Sequence, residues 1–124
     1  MSTKKTEHIA VFYEGQDDLI NILATSLVSI CSNTQSFIDF YILDCGINEG
    51  NKRLLTSLRE KFTNFSLTYL PINLGQFAGL RGYREQNFLD CYARLLIPEL
   101  VPNLKKAIYL DTDTIALGDI KTLW

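Results

Sequence analysis

Two carboxylates set one residue apart, Asp111 and Asp113, close the apolar run Ala107-Ile108-Tyr109-Leu110, with Thr112 between them. In an extended chain residues i and i+2 fall on the same side. Both acidic groups can then converge on one hard cation and leave coordination positions for water and phosphate oxygens. A divalent ion held this way would neutralise a diphosphate leaving group. Asp-Thr-Asp is also an ordinary surface-turn composition. The apolar run before it puts the metal reading on an even footing with the surface-turn reading, because it places the pair at a strand end. Such an unbroken run suits a strand buried on both faces, as in a parallel sheet. The carboxyl edge of that sheet is where α/β folds bind ligands.

Other site chemistries find few residues to work with. His8 is the only histidine and falls where a strand begins, so no Ser-His-Asp or Cys-His constellation is available. Cys31, Cys45 and Cys91 share no metal-type spacing, and their odd number argues against a disulfide framework. They read as reduced thiols of a cytosolic protein, serving as small core residues. The chain has no Gly-x-Gly-x-x-Gly, no phosphate-binding P-loop and no Cys/His zinc pattern. A formal net charge of -2 gives no electrostatic case for nucleic acid or an anionic membrane surface. No stretch approaches the apolar length of a transmembrane segment. Residues 1–7 form a polar tail, and the apolar stretch after them is too short and interrupted for a signal peptide. These features predict a cytoplasmic protein, and a peripheral position at the inner face of the membrane is left open for a longer form.

Positioning the acidic pair requires a sheet, and the rest of the chain predicts one. At 124 residues with 47 % apolar content, one domain with a single core spans residues 8–124. Residues 8–13 read as a first buried strand. Gly15-Gln16-Asp17-Asp18 punctuates it, with Asp17 or Asp18 as the N-cap of a helix over 19–30. That helix carries Leu19, Ile22, Leu23, Leu27 and Ile30 at helical spacing, a core stripe. Residues 37–43 form the second strand, and Asn48 or Glu49 opens a helix running over 52–62. Residues 65–70 form the third strand, stopped by Pro71. Strand, helix, strand, helix, strand predicts parallel pairing through right-handed crossovers. This is one mononucleotide-binding half of a doubly wound sheet, with the first strand central.

Residues 73–84 break the rhythm, with Gly75, Gly79 and Gly82, two aromatics and two arginines. A loop of that length is either functional or a plain connector. Residues 85–96 look helical and are ended by Pro98 and Pro102. Arg94 lies within that helix, where an exposed arginine is ordinarily a solvated surface group. After Asp113 a short extended piece over 114–120 leads to Leu123-Trp124, an apolar end that wants something to pack against. No repeat or low-complexity segment interrupts the pattern.

Particular residues go further than spacing. Ile108-Tyr109-Leu110-Asp111-Thr112-Asp113-Thr114, preceded by Tyr92-Ala93-Arg94-Leu95 and followed by Leu123-Trp124, resembles glycosyltransferase family 8. These are retaining sugar-nucleotide transferases related to glycogenin and to bacterial lipooligosaccharide galactosyltransferases. Phe40-Tyr41-Ile42-Leu43-Asp44 is similar to that family's second strand, and Leu23-Ala24-Thr25-Ser26-Leu27 to its first helix. The likeness runs from His8 onward. It implies a Rossmann-like nucleotide-binding half of a GT-A fold, a mostly parallel α/β sheet truncated at its C-terminal end. It also implies a UDP-sugar donor with Mn2+ (or another divalent cation) bridging its diphosphate, and a saccharide or glycolipid acceptor.

By that resemblance Asp111 and Asp113 match the metal-binding motif, and Thr112 lies between them near the nucleotide. Arg94 matches the arginine near the donor sugar and diphosphate, a task that suits a fixed guanidinium. The family's nucleoside-contacting loop usually reads Asp-Asp-Asn-Tyr, and the matching positions are Gln16, Asp17, Asp18 and Leu19. An amide stands in place of the first carboxylate and Leu in place of the aromatic, so contacts at those two positions differ in kind. Family members continue past Leu-Trp into a second half with acceptor-binding residues and a metal-completing histidine. The expected activity is therefore transfer of a glucosyl or galactosyl unit from a UDP-sugar to an acceptor such as lipopolysaccharide, with retention. The rival expectations are an inactive remnant that at most binds nucleotide, and an unrelated α/β binding domain.

Overall fold

The computed structural model describes residues 7–77, 79 and 89–124. Among them, β1 (His8–Gly15), β2 (Phe37–Asp44), β3 (Phe65–Pro71) and β4 (Ile108–Tyr109) make one parallel sheet in the order β3-β2-β1-β4. β1 is an inner strand, as the alternation predicts, and pairs along its whole length with β2, from His8 opposite Phe37 to Gly15 opposite Asp44.

Its unbroken apolar run has a direct cause. Side chains alternate across a strand, and both faces of β1 are covered. Ile9, Val11 and Tyr13 pack with Leu23, Leu27 and Ile30 of helix α1 (Ile20–Ser32) on one face. Ala10 and Phe12 pack with Leu43 and Ala93 on the other. Each such large side chain, fully buried, contributes about 1.5–3 kcal/mol. Helix α2 (Glu49–Ser57) adds Leu55 to the first face. Asn48 caps it, its side chain accepting from the backbone N–H of Asn51 at 2.8 Å. A 3-10 turn over Leu58–Glu60 finishes the segment, so the α-helix is shorter at its C-terminal end than the periodicity predicts.

Three local expectations are corrected. Neither Asp17 nor Asp18 caps α1: a 3-10 turn over Asp17–Leu19 intervenes, and the Asp17 carboxylate is drawn to α2 instead. Pro71 does not stop β3 but is its last residue. The next amide, Ile72 N–H, donates to Asp44 O at 3.0 Å, so the donor that Pro71 lacks would have faced away from β2. Pro98 does not end a helix either. It sits in the first turn of α3 (Ile97–Leu100), where a missing N–H has no intrahelical partner to lose.

The predicted helix over 85–96 lies in part outside the described residues, and its described remainder, Leu89–Leu96, is a 3-10 helix. The long Gly-rich loop likewise lies partly outside them. Its start is a 3-10 turn over Leu74–Phe77, with buried Phe77 stacked on Tyr92 at 5.6 Å between centroids.

β4 is shorter and less buried than its apolar run suggests. Ile108 and Leu110 face the first core and Tyr109 the second, yet all three are half-buried, because β4 is the edge strand among the described residues. Residues 114–119 form no strand. They are held against α1 by side chains: Ala116 N–H donates to Ser29 Oγ at 2.9 Å, and Asn33 Nδ2 donates to Ala116 O at 3.2 Å. Trp124 does find a partner, packing at both cores under the Lys106 ammonium, which lies 4.2 Å from its ring centroid. No helix among the described residues is long and apolar enough to cross a membrane.

Candidate functional site

The order of the strands reverses between β1 and β4. α1 and α2 cover one face of the sheet, while the segment from Ala93 to Leu104 covers the other. Two crossovers on one face, followed by a return on the opposite face, put a topological switch point at the carboxyl ends of β1 and β4, the place where open α/β sheets bind ligands. Phe12 pairs with Tyr109, and Leu110 N–H donates to Phe12 O at 3.0 Å. Glu14 near the end of β1 and Asp111 just past β4 therefore each follow this pair by two residues at the carboxyl end of the sheet.

The acidic pair leaves β4 through a turn rather than an extended segment. Thr112 and Asp113 form the bend, and the Thr114 hydroxyl closes it by donating to Asp111 O at 2.8 Å. Asp111 and Asp113 are exposed and Thr112 half-buried. Among the described residues neither carboxylate has a hydrogen-bond or ion-pair partner. Two solvent-facing carboxylates fit a hard, oxygen-seeking cation that keeps most of its own water. No group of three or more His, Cys, Asp and Glu that could hold a metal occurs among the described residues, so the pair supplies only part of a coordination shell.

Arg94 is exposed and lies over the ring of Tyr109, its guanidinium carbon 4.8 Å from the centroid. A guanidinium over an aromatic face is held there by cation–π attraction. The 3-10 helix thereby brings Arg94 beside β4, two residues ahead of Asp111.

On the β1 side, Gln16 is half-buried and Asp17 and Asp18 are exposed. The Asp17 carboxylate accepts from Asn48 N–H at 2.8 Å and from Asn51 Nδ2 at 2.9 Å, while its own N–H donates to Gly46 O at 3.1 Å. Those bonds, the Asn48 backbone N–H first and the Asn51 amide second, hold its carboxyl below the ordinary carboxylate range. The fold thus assembles the 16–18 loop, the 111–113 turn and Arg94 at one sheet edge, and turns the Asp17 carboxylate toward α2.

A neighbouring cluster escapes sequence reading. Asp44, last residue of β2, accepts from Gly46 N–H at 3.0 Å and Ile47 N–H at 2.8 Å through Oδ1, and meets Lys52 Nζ at 2.9 Å through Oδ2. Lys52 in turn lies 5.0 Å from the Tyr69 ring centroid. Burial pushes the Asp44 carboxyl up, but the Lys52 ammonium and the two backbone N–H groups together bring it below its ordinary value. The cluster stiffens the loop to which Asp17 is tied. Asp44-Cys45-Gly46 carried the signal: an Asp side chain folding back two residues on, before a glycine at φ 127°. Lys52 carried none, because its spacing is that of a solvated helix face.

Comparison with known proteins meets this geometry. Residues 10–124 match the family described as Glycosyl transferase family 8. A Haemophilus influenzae protein, named only at the level of a glycosyltransferase, is 35 % identical over 102 residues, covering 82 % of this chain and 31 % of its own length. Glycosyltransferase 8 domain-containing protein 1 of Xenopus tropicalis is 32 % identical over 127 residues, covering 98 % of this chain and 33 % of its own. The chain spans about a third of the length of these curated relatives. Among solved structures, the galactosyltransferase LgtC in complex with donor and acceptor sugar analogs superposes with a TM-score of 0.83 at 25 % identity, over 94 % of this chain and 42 % of that one. The parallel α/β sheet is thus that of the nucleotide-binding part of a GT-A fold, and the chain belongs to glycosyl transferase family 8.

Proposed function

We propose that these residues form the donor-binding part of a retaining hexosyltransferase, which moves a glucosyl or galactosyl unit from a UDP-sugar to a saccharide acceptor such as lipopolysaccharide. Asp111 and Asp113 would hold the divalent ion, manganese, which when bound supplies positive charge against the diphosphate. Arg94, fixed on Tyr109, presents a planar charge to the same diphosphate and the donor sugar. Thr112 sits between the two acids at the nucleotide. Gln16 and Asp18 face the nucleoside, and Asp17 keeps their loop in place.

One observation carries the reading: the acidic turn and the 16–18 loop flank a topological switch point, in a chain that superposes on a galactosyltransferase bound to donor and acceptor analogs. Isothermal titration of the chain with UDP tests it. Manganese strengthens binding, and Asp113→Ala abolishes that enhancement. Equal UDP affinity with and without the metal removes the role given to the acidic pair.

A second reading is that the chain binds nucleotide without turnover. A donor-hydrolysis assay separates them: measurable release of hexose from the UDP-sugar excludes the second.

A further inference from the structure

Three hydroxyls that the donor-binding reading does not use form a continuous path from the core to the acidic turn. Tyr13 OH lies 2.6 Å from Ser26 Oγ, and Ser26 Oγ lies 3.3 Å from Thr114 Oγ1. Thr114 Oγ1 donates to Asp111 O at 2.8 Å. Tyr13 and Ser26 are 0 % and 1 % exposed, so this is a polar thread through an otherwise apolar layer between β1 and α1.

Proton counting fixes its direction. A hydroxyl has one hydrogen to donate. Thr114 gives its hydrogen to Asp111 O, so it must accept from Ser26. Ser26, having donated to Thr114, must accept from Tyr13. The order is Tyr13 to Ser26 to Thr114 to Asp111 O, every link running one way, and such chains strengthen their members cooperatively. Burial pushes the Tyr13 phenol well above its ordinary value, which keeps the first donor protonated.

We propose that Thr114 is a positioning residue for the divalent cation: anchored to the core through Ser26 and Tyr13, its hydroxyl fixes the turn that presents Asp111 and Asp113. The turn needs such an anchor. β4 pairs through only two residues before it, on the sheet edge, and the carboxylates themselves hold nothing among the described residues. Ser29, one helical turn after Ser26, takes the Ala116 N–H and secures the chain just beyond. The inference rests on the reading of Asp111 and Asp113 as donor-side metal ligands.

Manganese titration followed by electron paramagnetic resonance, in the presence of saturating UDP, tests it on the 124-residue chain. Thr114→Val keeps shape and removes the hydroxyl. The expected result is manganese affinity weakened about tenfold, the scale of an outer-shell loss, with Thr114→Ser restoring it. The double variant Tyr13→Phe with Ser26→Ala removes both remaining hydroxyls without orphaning a buried donor, and it weakens manganese binding in the same direction. A Thr114→Val chain with a lower melting temperature and unchanged manganese affinity makes the hydroxyl a turn-closer only and overturns the proposal. A wild-type chain that binds no manganese overturns instead the assignment of the acidic pair.

Discussion

Asp17 and Asp44 show how a carboxylate at the carboxyl edge of the sheet can be occupied by the scaffold. Each accepts two hydrogen bonds from the β2–α2 region, and each is held below the ordinary carboxylate range. For Asp44, whose side chain is 10 % exposed and paired with Lys52, the consequence is a pH-dependent stability. A depressed folded-state value means the contribution is full above the unfolded value near 3.8 and is lost as pH falls through the folded one. We expect Asp44→Ala to cost about 2 kcal/mol near neutral pH, since two backbone donors and an ammonium lose their acceptor. The difference from wild type shrinks on acidification below about pH 4. Urea unfolding at several pH values measures both. A pH-independent difference would mean that the charge contributes nothing. His8 makes a separate point: its ring meets Asp39 at 3.0 Å at the amino-terminal edge of the sheet, at the far end of the strands from Asp111 and Asp113.

Elements owe their positions to faces rather than to propensity alone. α1 buries Leu23, Leu27 and Ile30 against β1, and its Ser26 and Ser29, with Asn33 just past its end, hold the chain after β4. The helix is thus both a core wall and a clamp. Truncating Leu27 to Ala removes a fully buried side chain, and a cost of about 2–5 kcal/mol is expected from thermal unfolding. Pro98 gives the contrasting case. In the first turn of α3 it breaks no hydrogen bond, so Pro98→Ala should change stability by less than about 1 kcal/mol. A large loss there would mean that the ring's packing, rather than its tolerated position, matters. The cap of α2 and most of the α1 stripe were readable from the residues in order, since both are local patterns; Ile22, expected in that core stripe, is instead 44 % exposed. The 3-10 form of Leu89–Leu96 was not, because its apolar spacing suits an α-helix equally well.

For the whole molecule, ligand effects should be confined to one edge. Adding UDP and manganese to an isotopically labelled chain is expected to shift the amide resonances of Gln16, Asp18, Asp111, Thr112 and Thr114. His8, Asp39 and Ser66, hydrogen-bonded together at the other edge, should stay still. Shifts spread evenly over both edges would place the nucleotide elsewhere. The sequence alone determined the alternation of strands and helices, the parallel sheet with β1 inside, and the acidic pair at the end of β4. Those follow from periodicity and strand-end chemistry, which are properties of neighbours in the chain. Tertiary structure alone decided that Asp17 serves α2, that Asp44 pairs with Lys52, that Arg94 lies on Tyr109, and that Tyr13, Ser26 and Thr114 join into one path. Each of these is a contact between residues of different elements, set by strand register and by which face a crossover takes. A one-residue slip in register would send the same side chains to the opposite face.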